Sequence, residues 1–374
     1  MKRSYFSYLL FVIAMSAFVV LRVHAGRAQE SQPVRPSEET QQAEKREETL
    51  ADMQKKMQEE QAAAAEEEEI PEEDETEYLW HGQVDPKKEF EGLIPRIVCW
   101  GDSLTVSLDD KSAYPDVLRA LSGCEVINYG VENENTAMIA MREGGLRVNV
   151  KATVLPADTN LIPIFLRTED NGHVYFLDYG DGGVNPCSIN GIEGELQQLN
   201  GAYYFKRSTK GERLAVDEGT QFKTFGMKDA KEDDILVIFA GTNDLPDSTG
   251  VKKIISLERS MIEASGSDKY IIVGLTYAGG IPEIDAVNEA LSKEFGDHFV
   301  DIRRYMLNYG LADAGITPTE DDLADIKKGE IPASLRNDYV HGNKIYHRLL
   351  GEQIYRRMKY LGYVPDPEEG EKDI

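Results

Sequence analysis

Cysteine and histidine are both scarce in this sequence, and the shortage restricts the chemistry it can support. Its 374 residues include three cysteines and six histidines. Three cysteines are too few, and odd in number, for a disulfide framework, so we expect Cys99 and Cys124, which lie in apolar runs, to be buried thiols. The sequence also has no Cys-x-x-Cys, no His-Glu-x-x-His and no acidic loop with calcium-binding spacing. The motifs therefore imply no metal site.

Basic residues are also in short supply. The chain has 41 lysines and arginines against 67 aspartates and glutamates, which gives a formal net charge of −26 at pH 7. Proteins that hold nucleic acid neutralise its phosphates with a basic surface, and anionic lipid attracts basic segments. The acidic balance argues against nucleic acid and against docking on anionic lipid. A neutral or cationic ligand is easier to accept.

A long apolar run lies at the N terminus. Met1-Lys2-Arg3 is followed by an almost wholly apolar stretch from Tyr5 to Leu21, and Val23-His24-Ala25 has small residues where a signal peptidase reads. This pattern predicts a signal peptide over 1–26. Residues 5–23 are close to membrane-spanning length, so an uncleaved signal anchor that tethers the protein is the alternative. Either interpretation places the remainder outside the cytoplasm, extracellular or facing outward from a membrane.

The next segment has no apolar periodicity. Between Arg27 and Tyr78 it holds 18 acidic and 6 basic residues, with four alanines followed by four glutamates at 62–69. Such a composition is typical of a solvated spacer. We interpret 27–90 as an acidic low-complexity stalk, 91–365 as the folded domain, and 366–374 as an acidic tail.

Short apolar runs alternate with helical patterns through the folded domain. The predicted strands are 94–100, 125–130, 234–240, 270–275 and 298–301, and the predicted helices are 113–121, 136–142, 251–264, 282–295 and 344–361. This alternation predicts an α/β fold, a three-layer α/β/α arrangement around a doubly wound parallel sheet.

One segment interrupts that alternation. Residues 145–227 contain short alternating runs separated by Gly, Asn and Asp clusters such as Tyr179-Gly180-Asp181-Gly182-Gly183. The pattern predicts a β-rich insertion, a small antiparallel module between the second and third strands. Its aromatic residues are expected to form its own core in preference to a sugar-binding platform; they are Tyr175, Phe176, Tyr179, Tyr203, Tyr204 and Phe205.

A serine, a histidine and an aspartate are placed where they can meet. Ser103 follows the first strand, at the sheet edge where open α/β sheets bind ligands. His341 lies on a loop after the last strand, and Asp338, three residues earlier, can accept from its ring. A nucleophile, a base and a group that orients the base are the parts that serine hydrolysis needs. His347, on the following helix, is expected at the surface.

Three short motifs resemble blocks I, III and V of the SGNH (GDSL) hydrolase family. They are Gly101-Asp102-Ser103-Leu104-Thr105, Gly241-Thr242-Asn243-Asp244 and Asp338-x-x-His341, in the family's order. The resemblance covers roughly 95–363 apart from the insertion, and it implies the flavodoxin-like fold of that family.

The resemblance also implies roles for individual residues. Ser103 corresponds to the nucleophile, His341 to the general base and then acid, and Asp338 to the carboxylate that orients the histidine. Asn243, through its side-chain amide, and Ser103, through its backbone N–H, correspond to oxyanion donors. The family needs no metal and no organic cofactor.

The second block departs from the family's pattern. The family has Asn-x-Gly-x-x-Gly-Glu, and this chain reads Asn128-Tyr129-Gly130-Val131-Glu132-Asn133-Glu134, with Asn133 at the position of the second glycine. Asparagine tolerates a left-handed backbone. Asn133 is therefore retained as the third oxyanion donor.

The sequence thus predicts an exported serine esterase that forms an acyl-enzyme on Ser103. Its expected substrates are small-molecule or glycan esters, foremost O-acetyl groups of surface or extracellular glycans, and no protein partner is predicted. A lipase or thioesterase on the same triad, an acyltransferase, and a catalytically weak glycan-binding surface protein are the alternatives.

Overall fold

The computed structural model of the chain describes residues 80–81, 84, 86–106, 111–244, 250–277 and 282–365. All of these belong to the second of two compact units, Asp74–Ile374. The predicted signal segment, most of the predicted stalk and the acidic tail lie outside the described residues. None of the helices that are described is long and apolar enough to cross a membrane.

The described residues form fourteen strands and nine α-helices. The strands are β1 (Ile97–Gly101), β2 (Val126–Gly130), β3 (Val148–Val150), β4 (Thr153–Leu155), β5 (Ile162–Ile164), β6 (Leu166–Thr168), β7 (Cys187–Ile189), β8 (Ile192–Leu199), β9 (Ala202–Arg207), β10 (Leu214–Val216), β11 (Thr220–Lys223), β12 (Ile235–Phe239), β13 (Tyr270–Val273) and β14 (Phe299–Val300). The helices are α1 (Tyr114–Ser122), α2 (Thr136–Glu143), α3 (Phe225–Asp229), α4 (Gly250–Ser265), α5 (Pro282–Phe295), α6 (Ile302–Asn308), α7 (Gly310–Asp313), α8 (Glu320–Lys327) and α9 (Lys344–Tyr360).

Five strands form a parallel sheet in the order β2-β1-β12-β13-β14. Strands β1 and β12 are apolar and buried along their whole length, as strands covered on both faces must be. The chain winds from β1 outward to β2 and then returns to β12 on the other side of β1. The predicted α/β class is confirmed, and the winding direction reverses between β1 and β12, which is where such sheets bind ligands.

The helices pack in two groups. Helix α1 packs against α9, whereas α2 and α5 pack against α4. Right-handed crossovers place α1 and α4 on opposite faces of the sheet, because the chain winds in opposite directions from the switch point. Gly123 ends α1 in a left-handed conformation, and Asn135, rather than Thr136, caps α2 by accepting from Met138 N at 3.1 Å.

Strands β3 to β11 form a separate β module, 148–223. Seven of them pair in the order β5-β9-β8-β7-β11-β3-β6, with antiparallel ladders, and β4 pairs with β10. The module has its own apolar core. Phe176, Tyr203 and Phe205 are buried in it, as expected, while Tyr175 and Tyr179 are 36% and 51% exposed. The aromatic residues are therefore only partly core.

The prediction that His347 lies at the surface is wrong. The residue is 2% exposed, because α9 packs against both α1 and the sheet. Burial, with a smaller contribution from His341, lowers the pKa of His347 to about 4. The imidazole is therefore neutral at physiological pH.

The packed unit begins earlier in the chain than predicted. Trp80 and Val84 fall within the range 27–90, yet both are buried. Trp80 packs against Tyr309 with ring centroids 5.4 Å apart, and Val84 packs with Tyr360. A large aromatic ring gains most from burial, which explains why this part of the predicted stalk joins the core.

Helices α1 and α9 pack closely against each other at Gly351. Gly351 of α9 faces Val117 and the carbonyl of Tyr114, and a Cβ at this position would lie 2.7 Å from Val117 Cβ. Any larger residue must push the helices apart.

We therefore expect Gly351→Val to lower the free energy of unfolding by about 1–3 kcal/mol through overpacking, measured by urea denaturation. The matched control is Gly250→Val at the start of α4, where the nearest atom of the described residues to a Cβ is Asp244 O, at 3.7 Å. Equal losses in the two variants would contradict the packing argument.

Candidate active site

A tight turn presents Ser103 at the carboxyl end of β1. Thr105 N donates to Asp102 O at 2.9 Å, and Leu104 N donates to Asp102 Oδ1 at 2.9 Å. Gly101 is required because a Cβ there would lie 2.1 Å from Thr105 Oγ1. Ser103 is consequently half-buried at the sheet edge while its neighbours on both sides are buried.

The turn is tied to the neighbouring strand β2. Asn128 Nδ2 donates to Thr105 O at 2.7 Å, and Asn128 Oδ1 accepts from Gly130 N at 2.8 Å. A Cβ on Gly130 would lie 2.6 Å from Val106 N, so only glycine allows this approach. The asparagine and glycine of the second block therefore support the serine turn.

His341 lies on a closed loop before α9. Arg336 and Gly342 form an antiparallel bridge at its base, and Asn337 N donates to His341 O at 2.8 Å. Asp338 Oδ1 accepts from the backbone N–H groups of Val340 and His341, each at 2.8 Å. One carboxylate thus closes the turn that carries the histidine.

Ser103, His341 and Asp338 form a continuous hydrogen-bonded chain. His341 Nε2 lies 2.9 Å from Ser103 Oγ, and His341 Nδ1 lies 2.9 Å from Asp338 Oδ2. Because an ionised carboxylate can only accept, Nδ1 carries the proton in neutral His341, and Nε2 is left to accept from the serine hydroxyl. The three residues that the sequence predicts as a triad therefore lie together, in the geometry of a catalytic triad.

Asp338 is held in its ionised form. Desolvation is the largest single influence and raises its pKa, but hydrogen bonds from the His341 N–H, the His341 ring and the Val340 N–H outweigh it. The pKa of Asp338 is lowered to about 2. The side chain is 56% exposed and that of His341 is 43% exposed, so the site is open to solvent.

Asn243 lies on the short 3₁₀ turn after β12. Its Nδ2 donates to Glu134 O at 2.9 Å. The adjacent Asp244 accepts from Thr136 N at 2.7 Å and from Thr136 Oγ1 at 2.6 Å. These bonds join the turn after β12 to the loop before α2. An amide has two N–H donors, so one can hold Glu134 while the other serves a substrate oxygen.

Asn133 adopts the left-handed conformation that replacement of a glycine demands. Its φ is +61°, and the residue is exposed. The backbone of this position therefore has the form expected of the glycine in the family's second block.

Asp102, directly before the serine, is fully buried. Burial raises its pKa to about 7, and Asp244 adds to the rise, while the Leu104 N–H, Thr242 and His341 oppose it. The carboxyl group is protonated in mildly acidic solution. It places no full negative charge beside Ser103 under those conditions.

Two residues at this edge of the sheet, Glu134 and Arg142, have no role that their sequence pattern predicts. Glu134 and Arg142 form a buried ion pair, with Nη2 to Oε2 at 2.5 Å, behind the loop that carries Asn133. Glu134 is the last residue of the second block, and this position in the motif was the one sequence feature that could have indicated a role for it. Arg142 gave none, because a basic residue on a short helix is ordinarily a surface residue.

Among the described residues, no group of three or more His, Cys, Asp or Glu side chains could hold a metal ion. Cys99, Cys124 and Cys187 are all buried and free, so the buried thiols expected at Cys99 and Cys124 are confirmed.

The buried Asp102 should make stability depend on pH. The pKa of the Asp102 carboxyl is 3.8 in an unfolded chain and about 7 in the folded protein. As the pH rises, the unfolded chain therefore loses this proton at a lower pH than the folded protein does. We expect the free energy of unfolding to fall by a few kcal/mol at most between pH 4 and 7, at about 1.4 kcal/mol per unit, and Asp102→Asn to flatten that slope. Urea denaturation at four pH values tests this.

Burial raises the pKa of Glu143 and of Glu258 too, so part of the slope remains in the variant. An unchanged slope in Asp102→Asn would contradict a protonated Asp102.

No family model and no curated protein matches the chain. Among solved structures, a protein described as lipolytic and of the G-D-S-L family from Desulfitobacterium hafniense DCB-2 is similar, with 13% identity and a TM-score of 0.38 over 70% of this chain and 98% of the other. A member of the lipolytic protein G-D-S-L family from Veillonella parvula DSM 2008 has 12% identity and a TM-score of 0.32 over 70% of this chain and 94% of the other. At this distance neither neighbour assigns a family or a function to the chain.

Proposed function

We propose that this chain is an exported SGNH-type serine esterase that hydrolyses carboxylic esters through an acyl-enzyme. The observation that carries the proposal is the hydrogen-bonded chain from Ser103 through His341 to Asp338, located at the switch point of the parallel sheet. Polar turns are common after strands. A serine hydroxyl that contacts a histidine ring, which in turn contacts an ionised aspartate, is the arrangement that a nucleophilic hydrolase requires.

In the first half of the reaction, Ser103 Oγ attacks the ester carbonyl carbon and its proton passes to His341 Nε2. Asp338 keeps Nδ1 protonated and stabilises the imidazolium that forms. The carbonyl oxygen becomes an oxyanion that accepts from the Ser103 N–H, the Asn133 N–H and the Asn243 amide. Collapse breaks the bond to the alcohol oxygen, which takes the proton from Nε2, and leaves the acyl group on Ser103.

In the second half, water replaces the alcohol. His341 Nε2 removes a proton from the water as its oxygen attacks the acyl carbon, and the same donors hold the new oxyanion. Collapse returns the proton to Ser103 Oγ and releases the carboxylic acid.

The substrates we propose are O-acetyl esters on surface or extracellular glycans. The N-terminal 1–26 pattern supports export, and the half-exposed His341 and Asp338 side chains favour an ester carried on a bulky polymer over one that must enter a tunnel. The acidic composition further favours a neutral glycan over an anionic lipid surface.

Hydrolysis of p-nitrophenyl acetate by the full-length chain tests the proposal. We expect turnover that is lost by at least 10³-fold in Ser103→Ala, because the nucleophile is gone, and retained in the control Ser208→Ala, an exposed serine of the β module. Acetate should be preferred to p-nitrophenyl octanoate, and acetate should be released from O-acetylated glycan.

Three other results would favour the alternatives. Preference for octanoate would indicate a lipase or thioesterase, and transfer of the acetyl group to a glycan alcohol would indicate an acyltransferase. A folded wild-type chain that neither turns over esters nor reacts at Ser103 with a fluorophosphonate would overturn the esterase and favour a glycan-binding protein.

The oxyanion role of Asn243 is tested separately. Asn243→Ala should lower kcat by about 10²–10³-fold with little change in KM, because the amide acts on charge that develops only in the transition state. Asn160→Ala, an exposed asparagine of the β module, is the control. A kcat within threefold of wild type in Asn243→Ala would remove this residue from the oxyanion hole.

A further inference from the structure

The β module touches the catalytic domain through its glycine-rich turn, 180–183. Gly182 and Gly183 have φ values of +45° and +91°. A Cβ on Gly182 would lie 2.2 Å from Val131 Cγ2, and a Cβ on Gly183 would lie 2.8 Å from the Tyr129 ring. The turn therefore lies directly against the end of β2 and the loop that follows it.

Arg142 joins this turn to that loop. The side chain is fully buried. Its Nη1 donates to Tyr129 O at 3.0 Å and also to Gly182 O. Its Nε and Nη2 donate to the carboxylate of Glu134, with Nε to Oε2 at 2.8 Å. Each of the three groups that it binds belongs to a different part of the chain: β2, the loop, and the β module.

The connection continues to the turn after β12. Glu134 uses its side chain to bind Arg142 and its backbone carbonyl to accept from Asn243 Nδ2 at 2.9 Å. Glu134 also directly follows Asn133 in the chain. A shift of the Glu134 carboxylate would thus move both the amide of Asn243 and the backbone of Asn133.

We infer that Arg142 is a positioning residue of the oxyanion hole, and that the β module, through Gly182, helps to hold it in place. The inference rests on the esterase proposed above and extends it, because it assigns the module a part in setting the catalytic geometry. Arg142 touches no substrate. It acts through Glu134 on the two donors Asn133 and Asn243.

The chemistry of the contact requires arginine. A guanidinium offers donors in a rigid fork, which allows it to bind a carboxylate with two atoms and two carbonyls with the third. The guanidinium carbon also lies over the Trp100 ring, 5.3 Å from its centroid, near the end of β1. Lysine would keep the charge but could not meet these partners from one atom.

Arg142→Lys is the first test, with p-nitrophenyl acetate and the full-length chain. We expect kcat to fall about 10–100-fold with KM within threefold, because a displacement of about 1 Å in a catalytic donor costs on that order. Backbone amides 131–135 should exchange hydrogen faster. The control is Arg96→Lys, which disturbs another largely enclosed arginine–carboxylate pair, with Asp234, at the amino end of β1. It should lose stability and keep kcat.

Gly182→Ala tests the contribution of the module without replacing either residue of the Arg142–Glu134 ion pair. The added Cβ would press on Val131 and on Arg142 Nη1, at 2.6 Å. Gly191→Ala is its matched control, since Gly191 has φ +78° and open space around the Cβ position. Both substitutions place an alanine at a positive φ, and we expect only Gly182→Ala to lower kcat, by about threefold to tenfold.

The outcomes separate the two proposals. A folded Arg142→Lys variant with wild-type kcat, or equal kcat in Gly182→Ala and Gly191→Ala, overturns the positioning role and leaves the esterase intact. A wild-type chain without turnover overturns the esterase and the positioning role with it. If Arg142→Lys does not fold, the glycine pair decides the question.

Discussion

The parallel pairing of β1 with β12 is the constraint on which the rest of the site depends. In this register Gly101 lies opposite Phe239, so both strands end at the same level. Ser103 is the second residue after the end of β1, and Asn243 is the fourth residue after the end of β12. The sheet reverses its winding direction between these strands, and open α/β sheets bind ligands at the carboxyl edge of such a point. The backbone hydrogen bonds between β1 and β12 therefore bring the turns that carry Ser103 and Asn243 to the same edge of the sheet.

Side chains at the site serve structure and chemistry together. Asp338 accepts two backbone N–H groups that close its loop and also accepts from the His341 ring. The same bonds that shape the loop hold the carboxylate ionised, which in turn fixes the proton on Nδ1. Local folding and the protonation state of the histidine thus have one physical cause. Such a site is positioned before substrate arrives, which reduces the reorganisation needed during the reaction.

The catalytic edge contains several buried polar groups that cost stability. Asp102 and Glu258 are fully buried, and burial raises the pKa of each. The Arg142–Glu134 pair is buried as well, and a buried pair contributes little net stability compared with apolar residues of the same shape. Buried charged pairs can instead restrict a loop to one arrangement, because any other leaves a charge without a partner. The Arg142–Glu134 pair adjoins Asn133 in the chain, which agrees with a requirement for fixed geometry in that loop.

Much of this architecture follows from sequence patterns, because local patterns govern local structure. Apolar runs determined the five parallel strands, glycine and asparagine determined the ends of α1 and α2, and the spacing of Asp338 and His341 determined their contact within one short loop. Features that depend on contacts between distant segments could not be predicted in the same way. They are the burial of Trp80 and His347, the three helices α6 to α8, and the hydrogen bond between Arg142 and Gly182 O. Each of these depends on which surface another part of the chain presents, and that is fixed only when the whole core packs. The sequence by itself determined the chemical groups and the strand ends that carry them, whereas only the tertiary structure decided which buried partners hold those groups in position.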